Sequence, residues 1–232
     1  MTCCQCQGIE RLFDRREALR KLHAYARHGP DRTTRLLLDA VKAENIERAT
    51  LLDIGGGIGV AQLELLSAGL RSATDVDASS AYLDVAREEA RRRGYALRVS
   101  YRHGDFVALA PQIEPADIVT LDRVICCYRD MPALVRASAA KAQRLYGLVY
   151  PRDVWWTRCF SASENMAFRL RRHAYHSFIH PTRLVDALVC SAGLERRVLH
   201  QGVFWQVVLY ARPDEMPRGG SENGREVLFV GR

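Results

Sequence analysis

The apolar positions change period along the chain. From Ile9 to His28 they recur at helical spacing through Ile9, Leu12, Phe13, Leu19 and Leu22, with charges between, so one helix is expected over 9–28. Gly29-Pro30 breaks that pattern, and Asp31 is placed to cap a second helix ending near Asn45. Short apolar runs then alternate with amphipathic stretches. Strands are expected at Thr50–Ile54, Arg71–Val76, Leu97–Arg102, Ala116–Leu121 and Leu145–Tyr150. Helices are expected near Ile58–Ser67, Ser79–Arg93 and Met131–Gln143, with a further helix at Pro181–Ser191. Strands alternating with helices build a mostly parallel sheet with helices on both faces. The last two strands, Leu194–His200 and Phe204–Arg212, are separated by only a tight turn. A parallel crossover needs a dozen or more residues, so this terminal pair must be antiparallel. The fold class is therefore α/β and Rossmann-like, with seven strands.

This pattern divides the chain into lid helices and a leader (1–45), a sheet domain (46–212) with an inserted lid segment (152–180), and a polar tail (213–232) expected to be mobile. In that insertion Trp155, Cys159, Ala162, Met166 and Leu170 fall on one helical stripe, with Trp156, Phe160 and Ala167 beside it. Its expected role is to pack on the domain. It could also roof a substrate or lie on an anionic membrane surface as a peripheral contact.

Composition adds compartment and partner. The chain has 232 residues, 48% hydrophobic and 26% charged, which excludes a disordered or collagen-like protein. No run approaches the roughly 20 apolar residues of a membrane span. Seven cysteines without a signal-peptide layout suit a reducing cytoplasm. Cys159 and Cys190 lie in apolar helical patterns and are expected in the core, whereas Cys3, Cys4 and Cys6 form a thiol cluster with no packing reason. The net charge is +7, yet residues 51–150 hold 12 basic and 12 acidic side chains. The excess lies in the flanks, over the lid segments rather than the sheet. It suits an acidic or amphipathic small molecule better than nucleic acid.

The densest chemical signal is Asp53-Ile54-Gly55-Gly56-Gly57-Ile58-Gly59 at the end of the first strand. Glycines there let a ligand approach the backbone, and the following helix offers free N–H groups. NAD, FAD and other ligands use similar turns. Asp53, just before the glycines, is poorly placed for a pyrophosphate and better suited to an ammonium or sulfonium group. Asp77 ends the second strand, where a carboxylate can accept ribose hydroxyls. Asp105 and Phe106 follow the third strand, where they can meet an adenine amine and cover its ring.

These motifs, with Asp-Val-Asp-Ala-Ser at 75–79, His-Gly-Asp-Phe at 103–106 and Ala-Asp-Ile-Val-Thr-Leu-Asp at 116–122, resemble those of class I S-adenosylmethionine-dependent methyltransferases over roughly residues 31–212. The resemblance implies S-adenosyl-L-methionine as cofactor. It implies Gly55, Gly56, Gly57 and Gly59 around its methionine part, Asp77 on the ribose, and Asp105 with Phe106 on the adenine. The leading helix pair, with Phe13 and Tyr25, is loosely similar to the lid of magnesium-protoporphyrin carboxyl methyltransferases.

Methyl transfer needs alignment and water exclusion above all, and alignment alone can supply about 7–11 kcal/mol of the barrier. The loop after the fourth strand would face the methyl group. Asp122 and Tyr128 are the candidate catalytic residues, and Arg123 could pair a substrate carboxylate. Trp155, Trp156 and His176 are candidate substrate contacts. No metal ligands are expected. The Asn-Pro-Pro-Tyr and Pro-Cys motifs of nucleic-acid methylation are absent from the sequence. The expected activity is methyl transfer to a small, partly apolar molecule, with oxygen the expected acceptor atom. A tetrapyrrole carboxyl methyltransferase is the alternative within enzymes. Outside them stands a non-catalytic cofactor-binding or metal-thiolate sensor, and an oxidoreductase is disfavoured by Asp53.

Overall fold

The computed structural model describes residues 8–10, 12–171 and 175–213. The Cys3, Cys4 and Cys6 cluster and the tail beyond residue 213 lie outside the described residues. Seven strands form one sheet: β1 (Thr50–Ile54), β2 (Ser72–Asp77), β3 (Val99–His103), β4 (Ala116–Asp122), β5 (Ala142–Pro151), β6 (Glu195–Gln201) and β7 (Trp205–Ala211). Their order is β3-β2-β1-β4-β5-β7-β6. The β1 to β5 neighbours are parallel, while β7 runs antiparallel to both β5 and β6, as the short turn required. Strand order reverses between β1 and β4, and ligands in such sheets bind beyond the strand ends at that point.

Helices cover both faces. On one lie α1 (Arg15–His28), α2 (Arg32–Lys42), α3 (Val60–Ser67) and α4 (Ser80–Arg92), burying Ala18, Leu37, Leu38, Leu63 and Val85. The close seat of α2 needs Gly147 in β5, because a Cβ there would stand 2.7 Å from Leu37. The other face carries the one-turn α5 (Phe106–Leu109), α6 (Met131–Ala139) and α8 (Thr182–Ser191), burying Leu134, Val135, Val185 and Val189. The inserted segment forms α7 (Trp155–Leu170).

Three expectations are corrected. The helix foreseen over 9–28 is interrupted: the chain bends at Phe13, and Asp14 caps a new helix by accepting from the Glu17 N–H at 2.9 Å. The helix foreseen to Gln143 ends at Ala139, because Ala142 already pairs with Ala116 in the sheet. Cys159 and Cys190 are exposed rather than in the core. The strand sites carry over closely, with boundaries moving by at most three residues.

Candidate active site

The glycine loop leaves β1 at the switch point. Gly55, Gly57 and Gly59 all have positive φ, at 66°, 60° and 82°. Gly56 answers a different demand. A Cβ there would lie 2.5 Å from Gln62 Nε2, 2.6 Å from Asp75 Oδ1 and 2.7 Å from Asp53 Oδ2, so the backbone rests directly on a buried polar layer.

Strand register builds that layer. Asp53 stands opposite Asp75 on β2 and Thr120 on β4. Asp53 accepts from Thr120 Oγ1 at 2.7 Å and from Gln62 Nε2 at 3.2 Å, and burial raises its carboxyl to about 6. Asp75 is fully buried, and neither of its oxygens has a hydrogen-bond partner among the described residues. Burial, and then the neighbouring Asp53, pushes it well above the ordinary carboxylate range. A neutral, protonated Asp75 is the low-energy state of such a pair. Asp53 therefore supports the loop from below. It does not stand open to a ligand, as its position before the glycines had suggested. Asp75 is a residue that sequence reasoning missed, since it reads simply as one position of β2.

Asp77 is the acidic group that faces the loop. It accepts from the Gly57 N–H at 3.0 Å and from the Ser79 N–H at 2.8 Å, and burial raises its pKa despite both bonds. The segment before α1 is fastened above this region. Ser79 Oγ donates to the Phe13 carbonyl at 2.7 Å, and Glu10 accepts from Ser80 and meets His103 at 3.2 Å. On the β3 side Asp105 caps α5 through the Val107 N–H. The Tyr128 hydroxyl also donates to Asp105, at 2.8 Å and 3.0 Å from its two oxygens. The structure thus joins Tyr128 to the β3 side of the site, where it had been expected at the reacting atoms. Phe106 is buried in the core on that face.

At the end of β4, Arg123 has a positive φ of 62°, uncommon for a side chain of its size. That geometry turns its guanidinium toward α2. It pairs with Asp31 Oδ2 at 2.8 Å and Asp122 Oδ1 at 3.0 Å, and donates to Thr34 Oγ1 at 3.1 Å. Thr34 Oγ1 in turn donates to Asp122. This corrects the expectation for Arg123, whose charge is already matched within the chain. It also shows Asp122 with both oxygens engaged.

A second cation was missed by the sequence. Lys21, on α1, makes no ion pair with any described residue. Its Nζ lies 5.4 Å from the Phe13 ring centroid and 5.5 Å from that of Tyr82, in cation–π reach of both. Burial, then the nearby Arg123 charge, lowers its pKa. Tyr82 also borders the loop, 3.4 Å from where a Gly57 Cβ would be. Phe13 packs edge-on against Tyr82 and Tyr175, and Tyr175 against Phe168. Tyr175 and Cys127 are 3.0 Å apart through oxygen and sulfur. The sulfurs of Cys126 and Cys127 lie 3.9 Å apart; their hydrogen bond holds Cys127 below the ordinary thiol range and pushes Cys126 up. Lys21 and three aromatic rings therefore form a wall from the glycine loop to the end of β4. Tyr25, the other lid aromatic, does not join it. Its hydroxyl donates to Glu64 at 2.9 Å in a cluster with Lys42 and Arg93.

Trp155 and Trp156 are exposed and touch each other, and Trp156 donates to the Val203 carbonyl. His176 is exposed beside Phe178. These three are not gathered with the wall of aromatic rings.

Residues 51–145 match the family described as a methyltransferase domain. The chain carries a methyltransferase domain and is an S-adenosylmethionine-dependent methyltransferase. The matched span runs from β1 into β5 and contains the loop, Asp77, Asp105 and Asp122. No curated protein matches the sequence. Among solved structures, the methyltransferase is similar to magnesium protoporphyrin IX methyltransferase from Synechocystis PCC 6803 with bound SAH. The TM-score is 0.61 at 17% identity, covering 77% of this chain and 83% of that one. An O-methyltransferase family protein from Burkholderia thailandensis gives 0.59 at 18% identity, covering 79% and 57%. The 4+2 cyclase SpnF gives 0.59 at 14% identity, covering 78% and 81%. At such identities the likeness establishes the fold. The cyclase shows that the acceptor chemistry must be argued from the site.

Proposed function

We propose that this methyltransferase transfers the methyl group to a small, partly apolar, acidic molecule, at oxygen. The observation that carries the reading is Lys21, a half-buried cation with no carboxylate partner among the described residues, over the rings of Phe13 and Tyr82 beside the glycine loop. Flat apolar substrate surface would lie against those rings, and an anionic group would meet the ammonium. The bound cofactor supplies a methyl group on a sulfonium leaving group. Asp77 would hold its ribose, exchanging its bonds to Gly57 and Ser79, while Gly55–Gly59 would let its methionine part approach the backbone. Asp105 and Phe106 would lie toward the adenine, with Tyr128 orienting Asp105 by its two-oxygen contact. Asp53 and Asp75 would act from beneath, through the loop.

The chain's own contribution to the reaction is then alignment and dryness. Phe13, fastened through Ser79, and Tyr175 would exclude water from the acceptor. Asp122, held by Thr34 and Arg123, would orient the acceptor oxygen rather than serve as an open base. A carboxylate acceptor arrives ionised and needs no base at all. A tetrapyrrole carboxylate remains within this class, and the fold shared with the protoporphyrin enzyme is compatible with it.

The experiment is label transfer from methyl-tritiated S-adenosylmethionine into a small-molecule extract, followed by mild alkali. A methyl ester releases labelled methanol. Label that stays in the organic phase after alkali indicates a hydroxyl, nitrogen or sulfur acceptor and removes the carboxylate form of the reading. Porphyrin carboxylates form one added arm of the same assay.

A further inference from the structure

The inserted helix α7 is built inside out. A helix on a water-facing surface turns its polar face outward. Here the buried side chains are Thr157 and Ser161. They are tied inward by polar bonds: Thr157 Oγ1 to the Arg152 carbonyl at 2.6 Å and Ser161 Oγ to the Ser177 carbonyl at 3.0 Å. Asn165 closes a two-bond clasp with the Ser177 backbone at 2.7 and 2.8 Å. The apolar stripe points the other way. Trp155 is 73% exposed, Phe160 56%, Met166 54% and Leu170 78%. The stripe expected to pack on the domain is therefore its outer face.

That face continues onto the hairpin between β6 and β7. Phe160 packs edge-on against Phe204, with centroids 5.3 Å apart, and Val203 at the hairpin tip is 80% exposed. Pro151 pairs with Trp205, so the tip lies at the carboxyl end of β5, the same edge of the sheet as the glycine loop. The charge around the face is positive. Arg152 lies over the Trp156 ring, and Arg169 and Arg171 are exposed at the far end of α7. Of the two acidic residues in the segment 152–171, Asp153 is paired with Arg158, which leaves Glu164.

We infer that this face lies on an anionic lipid surface. Exposed Trp and Phe on a helix flanked by arginines, beside a protruding apolar hairpin tip, match the chemistry of an interfacial helix that sinks its apolar side about 5–10 Å into the headgroup boundary. Among the described residues no helix is long and apolar enough to cross a membrane, so the contact is peripheral. A convex tip such as Val203 enters a bilayer more readily than it fits a flat protein partner. Three arginines without an acidic partner among the described residues would each strengthen binding about fivefold on anionic lipid.

The test is co-sedimentation of the full chain with vesicles of phosphatidylcholine, alone and mixed with phosphatidylglycerol, with and without added salt. The expected result is binding to the mixed vesicles at least tenfold tighter than to the neutral ones, weakened by salt. Trp155→Ser/Phe160→Ser should lose most of that binding while keeping the wild-type melting temperature and cofactor affinity. Arg169→Gln/Arg171→Gln, which leaves every ring and Arg152 in place, should keep only about a fivefold preference for the mixed vesicles. No binding to mixed vesicles, or binding that the Trp155→Ser/Phe160→Ser variant retains, would overturn the inference. So would a dimer in sedimentation velocity that this variant dissociates, since the face would then belong to a second copy.

Discussion

Replacing Asp75 by asparagine should stabilise the protein at neutral pH and leave it nearly unchanged in acid. Asp75 and Asp53 face each other across β1 and β2 beneath Gly56, both buried. Burial raises Asp53 from 3.8 to about 6, and Asp75 moves in the same direction. A shift of about two units corresponds to about 3 kcal/mol. The sign follows from proton linkage. Below about pH 4 the carboxyls are protonated in folded and unfolded chains alike, so burial costs least. As pH rises toward about 6 the unfolded chain releases protons that the folded chain retains, and stability falls by an amount of that order. The amide of Asp75→Asn keeps the shape and never ionises, so the variant needs no proton taken up from solvent to stay neutral beside Asp53. The assay is urea unfolding of cofactor-free protein, followed by circular dichroism at pH 4, 5.5 and 7.5. The difference between variant and wild type should grow from near zero at pH 4 to about 1–3 kcal/mol in favour of the variant at pH 7.5. Carboxylates held low by partners, such as Glu17 and Glu64, weaken both proteins in acid and cancel in the difference. A difference independent of pH, or one that turns against the variant as pH rises, would refute the reasoning.

Other consequences can be checked alongside. Gly57→Val places a branched side chain at a φ of 60° against Tyr82, and Asp77→Ala removes the acceptor facing the loop; each should weaken S-adenosylmethionine binding at least tenfold by calorimetry. Lys21→Met should raise KM for an anionic acceptor at least tenfold, with cofactor affinity unchanged and neutral analogues little affected. Asp14→Ala removes the cap that restarts α1 and should cost about 1 kcal/mol in chemical denaturation.

The sheet was legible because buried parallel strands are short apolar runs, and because Gln201–Val203 is too short for a crossover. The loop and Asp77 were legible because glycines at a strand end have few other uses. Direction was harder. Periodicity shows that Trp155, Met166 and Leu170 share a stripe, but not whether that stripe faces the domain or the solvent. The bend at Phe13 was hidden by apolar spacing that continues through it, although Asp14-Arg15-Arg16-Glu17 carries a cap signal. Partners distant in sequence left no local trace. Arg123 meets Asp31 across 92 residues, and Lys21 reaches the site only through the packing of α1. The Asp53–Asp75 pair depends on strand register, which two separate strand assignments do not specify.

The most direct test of the central claim is transfer of labelled methyl from S-adenosylmethionine to a fractionated cell extract. The account predicts label in the small-molecule fraction, bound to an acidic product and lost with Asp77→Ala. Label confined to nucleic acid or protein, or no transfer by protein that binds the cofactor, would contradict it.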